Sequence, residues 1–348
     1  MHVLVITSGF PENEKDTDCI PPMQEYFRSL IKNHPEIKVT VISIHYPYKN
    51  FVYQWESIKV YSCGAARSSQ PKRFLYWLRA VYLALKINRK SKIDIIHSFW
   101  LTESAMIAAF ISLILQVKHI NTMMGQDAKS GNKYLKILPL KKIMKVAVSE
   151  NQSLYFSRSA GKEPEYVIPW GIEKFFVEKD ERAIDLVGAG SLIPLKNFRL
   201  FIEIVKKLKT DFPSIKCLLI GDGVERGTLE ELISKYDLRN NISLTGHIKR
   251  EEVLRFMMKS KILLHTSGYE AYGYVIAEAL ASGCYVVSKN VGCARQGEKL
   301  FVADTEEELS SMICRILKTA RNYEPKIIHP VTATVDSYVR LYEKYSAG

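Results

Sequence analysis

No two of the six cysteines (Cys19, Cys63, Cys217, Cys284, Cys293 and Cys314) stand at the spacing of a metal knuckle or a disulfide scaffold. This argues against structural zinc and against a small secreted fold, and it suits a reducing cytoplasm. Long apolar runs are missing too. The longest, residues 105–117, is too short for a bilayer and contains Ser112 and Gln116; it is expected as a buried helix beside a sheet. No basic-then-apolar leader opens the chain: residues 2–7 read at once as a strand, and a cytoplasmic protein is expected. Repeats and low-complexity tracts are absent. With 47% apolar and 25% charged residues among 348, the composition excludes disorder and allows two cores of ordinary size.

Acidic residues are absent between positions 57 and 93, where Lys59, Arg67, Lys72, Arg73, Arg79, Lys86, Arg89, Lys90 and Lys92 accumulate. Phe74, Leu75, Tyr76, Trp77, Leu78, Val81, Tyr82 and Leu85 interleave with them. A second cluster joins Lys133, Lys136, Lys141, Lys142 and Lys145 to Tyr134, Leu135, Ile137 and Leu138. Residues 1–165 hold 23 basic and 13 acidic side chains, a net +10, against 26 and 24, a net +2, in the remainder. A field confined to one half indicates an anionic partner. Helices with aromatic and cationic faces suit an anionic membrane surface, and a peripheral position on its inner face is the expectation. The plainer alternative is a solvated cationic face over a sheet. Nucleic acid is not expected, because no base-reading motif accompanies the charge.

Strand-like and helical patterns alternate throughout, which predicts βαβ units with parallel sheets. The first series places strands at 2–7, 38–44, 93–97, 117–122 and 143–148, with helices near 21–33, 72–90, 102–115 and 150–160. The second places strands at 183–188, 215–221, 242–246, 261–266 and 284–288, with helices near 197–211, 225–236, 250–258, 273–282 and 305–320. An α/β chain of two tandem Rossmann-like units accounts for this, with Pro169 and Gly171 punctuating the junction. The predicted domains are 1–166, 167–330 and a closing helix within 331–348.

Residues 265–278, His-Thr-Ser-Gly-Tyr-Glu-Ala-Tyr-Gly-Tyr-Val-Ile-Ala-Glu, carry the most chemistry. Glu270 falls in a strand-to-helix loop and Glu278 in the second turn of the helix. Between them, Tyr272, Gly273, Tyr274 and Val275 surround a helix start, whose N–H groups and positive end favour a phosphate. Two hydroxyl-binding carboxylates around a phosphate site describe a nucleotide sugar; two surface glutamates are the plainer reading. Gly188-Ala189-Gly190-Ser191, then Lys196, and Ile220-Gly221-Asp222-Gly223 are further turns after strands. Asp16-Thr17-Asp18 lies in an acidic loop too early in the chain for a metal pair, so no metal and no cofactor are expected.

Glu270 and Glu278 at this spacing, the following Ala-Leu-Ala-Ser-Gly, the strand from Cys284 to Ser288 and Asn290-Val291-Gly292 resemble the retaining glycosyltransferases of family four. The resemblance implies the GT-B fold, two Rossmann-like domains facing a central cleft, with the last helix crossing back to the first domain. It implies an N-terminal acceptor-binding domain and a C-terminal nucleotide-sugar-binding domain. The implied reaction moves a sugar from a UDP- or GDP-sugar to an acceptor hydroxyl, retaining configuration and without a metal. The acceptor would be lipid-linked or a polysaccharide or surface-glycan intermediate. Glu270, Lys196 and Asp127 are the implied catalytic residues. Gly190, Ser191, Lys196, Asp222, Ile248, Glu270, Tyr272, Gly273, Tyr274, Val275 and Glu278 would bind the donor. Gly9, Phe10, His97 and Gly125 would line the acceptor side. Three positions depart from the family: Ser191 replaces an arginine, Met124 a histidine, and Ile20-Pro21 a pair of glycines. A nucleotide-sugar epimerase of the same fold and a degenerate binding protein are the competing readings.

Overall fold

The computed structural model describes residues 1–65, 70–175 and 181–346, with side chains of 70–73 left aside. Arg67 lies outside the described residues, as do the last two positions of the predicted 331–348 segment. The chain forms two compact units, one of residues 1–171 and 331–348, the other of 172–330. The units meet at 171/172, at Gly171 of the Pro169–Gly171 junction, and Trp170 packs on Tyr26 of the first unit.

The first unit is built from β1 (His2–Gly9), α1 (Pro21–Asn33), β2 (Lys38–Tyr46), β3 (Phe51–Trp55), β4 (Ile58–Ser62), α2 (Gln70–Lys90), β5 (Ile95–Phe99), α3 (Glu103–Leu115), β6 (Lys118–Thr122), α4 (Tyr134–Ile137), β7 (Ile143–Ala147), α5 (Glu150–Ala160) and β8 (Tyr166–Val167). Its sheet runs β3-β4-β2-β1-β5-β6-β7-β8, parallel except for the β3–β4 hairpin. β1 and β5 read as continuous apolar runs because both faces of a parallel sheet are covered. On one face α2 and α3 close over Leu4, Ile6, Ile42 and Ile96.

The second unit comprises β9 (Ile184–Ala189), α6 (Phe198–Leu208), β10 (Cys217–Ile220), α7 (Arg226–Lys235), β11 (Ile242–Leu244), α8 (Arg250–Met258), β12 (Ser260–His265), α9 (Tyr274–Ala281), β13 (Tyr285–Ser288), β14 (Leu300–Val302) and α10 (Glu306–Thr319). Its all-parallel order, β11-β10-β9-β12-β13-β14, is the doubly wound 3-2-1-4-5-6 arrangement. α6 buries Phe198, Phe201, Ile202, Val205 and Leu208, a spacing that lays one stripe on the sheet. The last helix, α11 (Val331–Ser346), packs on α1 and β5 of the first unit. Tyr338 and Tyr342 on it are fully buried against Tyr26 and His97.

Two expectations about the first unit need correction. α3 is buried along Glu103, Ser104, Ala105, Ile107, Ala108 and Ile111, while Phe110, Leu113 and Ile114 face outward. Lys145, placed in the second surface cluster, is fully buried on β7. Its ammonium donates to the carbonyls of Leu140 and Ile143 at 2.7 Å each. Among the described residues, no helix is long and apolar enough to cross a membrane.

Candidate active site

In a doubly wound sheet, ligands bind beyond the carboxyl ends of the strands where the order reverses. In the second unit that point lies between β9 and β12, and both strands end in the motifs singled out above. β9 runs into Gly190, and Lys196 follows in a short 3-10 turn. Loop-to-loop bonds fix this turn against the end of β12: Thr266 Oγ1 donates to the Lys196 carbonyl at 2.9 Å, and Gly268 N to the Leu195 carbonyl at 2.9 Å. The Gly221-Asp222-Gly223 turn closes the other side. A Cβ at residue 221 would overlap the Gly190 carbonyl oxygen, so only glycine permits this approach.

These constraints bring Lys196 Nζ to 2.5 Å from Glu270 Oε1, with His265 Nε2 3.2 Å from the same oxygen. Burial pushes the Glu270 carboxyl up, but His265 and the Lys196 ammonium outweigh it and hold the carboxyl at about 2. The group is therefore ionised at neutral pH. Glu270 packs against Gly273, the N-cap of α9, which sits in the left-handed region at φ 80. No side chain caps that helix start. Glu278, one turn further, is buried and accepts from Arg250 Nε at 2.7 Å. The Arg250 guanidinium stands 5.8 Å from the centre of the Tyr274 ring.

The remaining donor-side residues fall around this centre in the same unit. Ser191 is exposed. Tyr274, Val275 and Ile248 are half-buried. Tyr272 is buried and shares a 2.9 Å hydrogen bond with His329 Nδ1. Asp222 is exposed and turns to its own loop, accepting from Gly223 N at 2.7 Å and from Arg226 at 3.4 Å. Sequence reasoning missed Arg250 and the role of His265 beside Glu270. Arg250 is 28 residues from its partner, and no local spacing announces the pair.

Among the first-unit candidates, His97, Phe10 and Asp127 are buried, while Gly125 is partly exposed. His97 is fully buried, hydrogen-bonded to Tyr342 Oη at 2.6 Å and Thr122 Oγ1 at 2.8 Å, and burial lowers its pKa to about 3. It belongs to the layer between the sheet and α11. Phe10 is likewise core, edge-on to Phe27 and Trp55. Gly9 closes β1 and pairs with Tyr46. Asp127 is 6% exposed, and its carboxylate accepts from the backbone N–H groups of Leu101, Gly125 and Met124 at 2.7, 2.8 and 3.2 Å. Its position is that of a loop-shaping residue, with burial raising its pKa against those bonds. Gly125 is partly exposed beside the Trp100 indole. Trp100, at φ 66, and Ile20, at φ 51, hold left-handed backbone at the loops after β5 and before α1. Large side chains rarely adopt that conformation. Asp16 of the acidic loop accepts from Tyr46 Oη at 2.7 Å.

Solved structures share this architecture. Anabaena Alr3699/HepE in complex with UDP and glucose matches with a TM-score of 0.71 and 16% identity over 98% of this chain and 99% of that one. Sucrose-phosphate synthase from Thermosynechococcus elongatus matches with a TM-score of 0.72 and 16% identity over 99% and 96%. Fold and strand order together define a GT-B protein of two α/β units. Residues 172–318, nearly the whole second unit, match the pattern of the family described as glycosyl transferases group 1. Over those residues the second unit is similar to that family. Among relatives, the gpi3 subunit of phosphatidylinositol N-acetylglucosaminyltransferase of Schizosaccharomyces pombe is 32% identical over 97 residues, 28% of this chain and 21% of that subunit. An uncharacterized glycosyltransferase of Methanocaldococcus jannaschii, MJ1178, is 26% identical over 231 residues, 62% of each. The aligned regions thus span under two thirds of either relative's length.

Proposed function

We propose that this chain is a glycosyltransferase that moves a sugar from a UDP- or GDP-sugar to an acceptor hydroxyl with retention of configuration, and that its charge stabilisation needs no metal. One observation carries the reading: Glu270 and Glu278 flank an uncapped helix start, with Lys196 fixed beside Glu270. Structures with this fold hold UDP in Anabaena Alr3699/HepE, which supports a nucleotide diphosphate here. Glu270, held ionised, accepts hydroxyls of the donor sugar, and Glu278 those of the ribose. Lys196 and the first turn of α9 stabilise the charge that grows on the departing diphosphate, a preorganised electrostatic role. The bond from the anomeric carbon to the phosphate oxygen breaks, and the acceptor oxygen bonds to that carbon on the same face. The acceptor's proton passes to the departing phosphate oxygen. On the acceptor side, the reading gives Trp100, Gly125 and the Ile20 loop the place expected for His97 and Phe10.

The acceptor we propose is lipid-linked or a surface-glycan intermediate, reached by an inner-face membrane contact of the first unit. Support comes from α2 and α3. Phe74, Leu75, Leu78 and Tyr82 on one, and Phe110, Leu113 and Ile114 on the other, are each at least 43% exposed. Lys86, Arg89 and Lys90 stand exposed near the end of α2.

The test is donor turnover with radiolabelled UDP- and GDP-sugars and a lipid-linked acceptor. Lys196→Met removes a charge-assisted bond to the leaving group and should lower kcat about 10²–10³-fold, and Glu270→Gln should lower it comparably. Turnover unchanged in both variants would refute the assigned roles. A chain that turns over donor without any acceptor would favour the epimerase instead.

A further inference from the structure

A diphosphate brings two negative charges to the start of α9, and Lys196 supplies one ammonium, already bonded to Glu270. Ser191, exposed in the turn before it, adds none. A further cation beside α9 is Arg250, the first residue of α8, whose guanidinium lies against Tyr274. Its side chain is 18% exposed, about as enclosed as Lys196 at 20%. Glu278 fixes it from the second turn of α9, and Tyr274, the first residue of α9, lies against it. Each carboxylate around the helix start is thus matched by one cation, and the four charges sum to zero. A planar guanidinium carries five N–H donors and can bond a carboxylate and a phosphate oxygen together. Glu278 would then hold Arg250 in place, so that little ordering remains when an anion arrives.

We propose that Arg250 is the second cation of the diphosphate subsite, bonding a phosphate oxygen at the start of α9 while it keeps Glu278. This rests on the nucleotide-sugar reading above. It assigns the residue a contact with the leaving group, distinct from the ribose contact of Glu278.

The experiment compares dissociation constants of UDP, GDP, uridine and guanosine for the wild type, Arg250→Gln, Arg250→Lys and Glu278→Gln. Thermal melts verify that each variant folds. Arg250→Gln should weaken the diphosphate that the wild type prefers about 10–100-fold, the span of a charge-assisted bond, and leave its nucleoside within about twofold. Arg250→Lys should recover part of the loss. Glu278→Gln should weaken nucleoside and diphosphate alike. Equal losses for nucleoside and diphosphate in Arg250→Gln would overturn the proposal, since Arg250 would then act only through Glu278. An unchanged diphosphate constant would overturn it as well. A wild type that binds neither diphosphate would sink the donor reading itself, an outcome separate from those two.

Discussion

A lysine inside a protein must exchange its water for other acceptors, and Lys145 finds three. Two are the Leu140 and Ile143 carbonyls, and the third is Glu165 Oε1 at 2.7 Å. Replacing the ammonium by a thioether of similar length leaves two carbonyls without their donor, at about 1–3 kcal/mol in total. Lys145→Met is therefore expected to lower the urea stability of the first unit by that amount while leaving any vesicle binding unchanged. A loss of vesicle binding at unchanged stability would put this lysine back on the surface. Glu270 shows the opposite balance. Burial alone would neutralise it, yet an ammonium at 2.5 Å and His265 beside it keep it charged. The ammonium that keeps Glu270 charged comes from 74 residues away, so its own neighbourhood in sequence does not reveal it.

At the level of single elements, β5 and β6 carry His97 and His119, both fully enclosed, and burial holds each pKa at about 3 against an ordinary 6.5. The unfolded chain takes up these protons as pH falls through 6.5, whereas the folded chain refuses them until about 3. Their contribution is complete above 6.5 and is lost as pH falls through that interval. Each adds a slope of up to about 1.4 kcal/mol per pH unit. Unfolding free energies measured by urea between pH 6.5 and 4.5 should fall with a slope that His119→Gln reduces by one proton. An unaltered slope would mean that His119 titrates normally. The same strands explain what could be read in advance. Buried parallel strands such as β9, β10, β12 and β13 are apolar runs, and they were legible as such. The β3–β4 hairpin and the three-residue β14 were not, since β3 alternates exposed and buried positions at a sheet edge. His97 was misplaced because neighbouring strand residues point to opposite faces. Which face is covered is decided by α11, more than two hundred residues later. The meeting of Glu270, the α9 start and Lys196 was legible because these lie in short segments just after strands β9 and β12. Arg250 was not, because its role depends on where α8 enters beside α9.

Across the whole molecule, charge and exposed apolar surface fall in the same unit. Residues 1–165 carry a net +10 against +2 for the rest, and the outward faces of α2 and α3 show seven large apolar side chains. Scattered exposed leucines are ordinary, but two adjacent helices each turning an apolar stripe outward are a sign of contact with something apolar. A bilayer with anionic headgroups satisfies both features at once. The lysines and arginines add roughly 1 kcal/mol each near the surface, and each inserted apolar side chain about 1.5–3 kcal/mol at full burial. The two contributions separate experimentally because salt screens only the first. Co-sedimentation with phosphatidylglycerol-containing vesicles should weaken steeply as salt rises, and Lys86→Glu with Lys90→Glu should flatten that dependence. Leu75→Ser with Leu78→Ser should weaken binding at every salt concentration and leave donor turnover with a soluble acceptor intact. Equal binding to neutral and anionic vesicles would remove the basic cluster from the contact. A Leu75→Ser, Leu78→Ser chain that still binds as tightly as the wild type would remove the α2 face, and the apolar stripe would then need another partner.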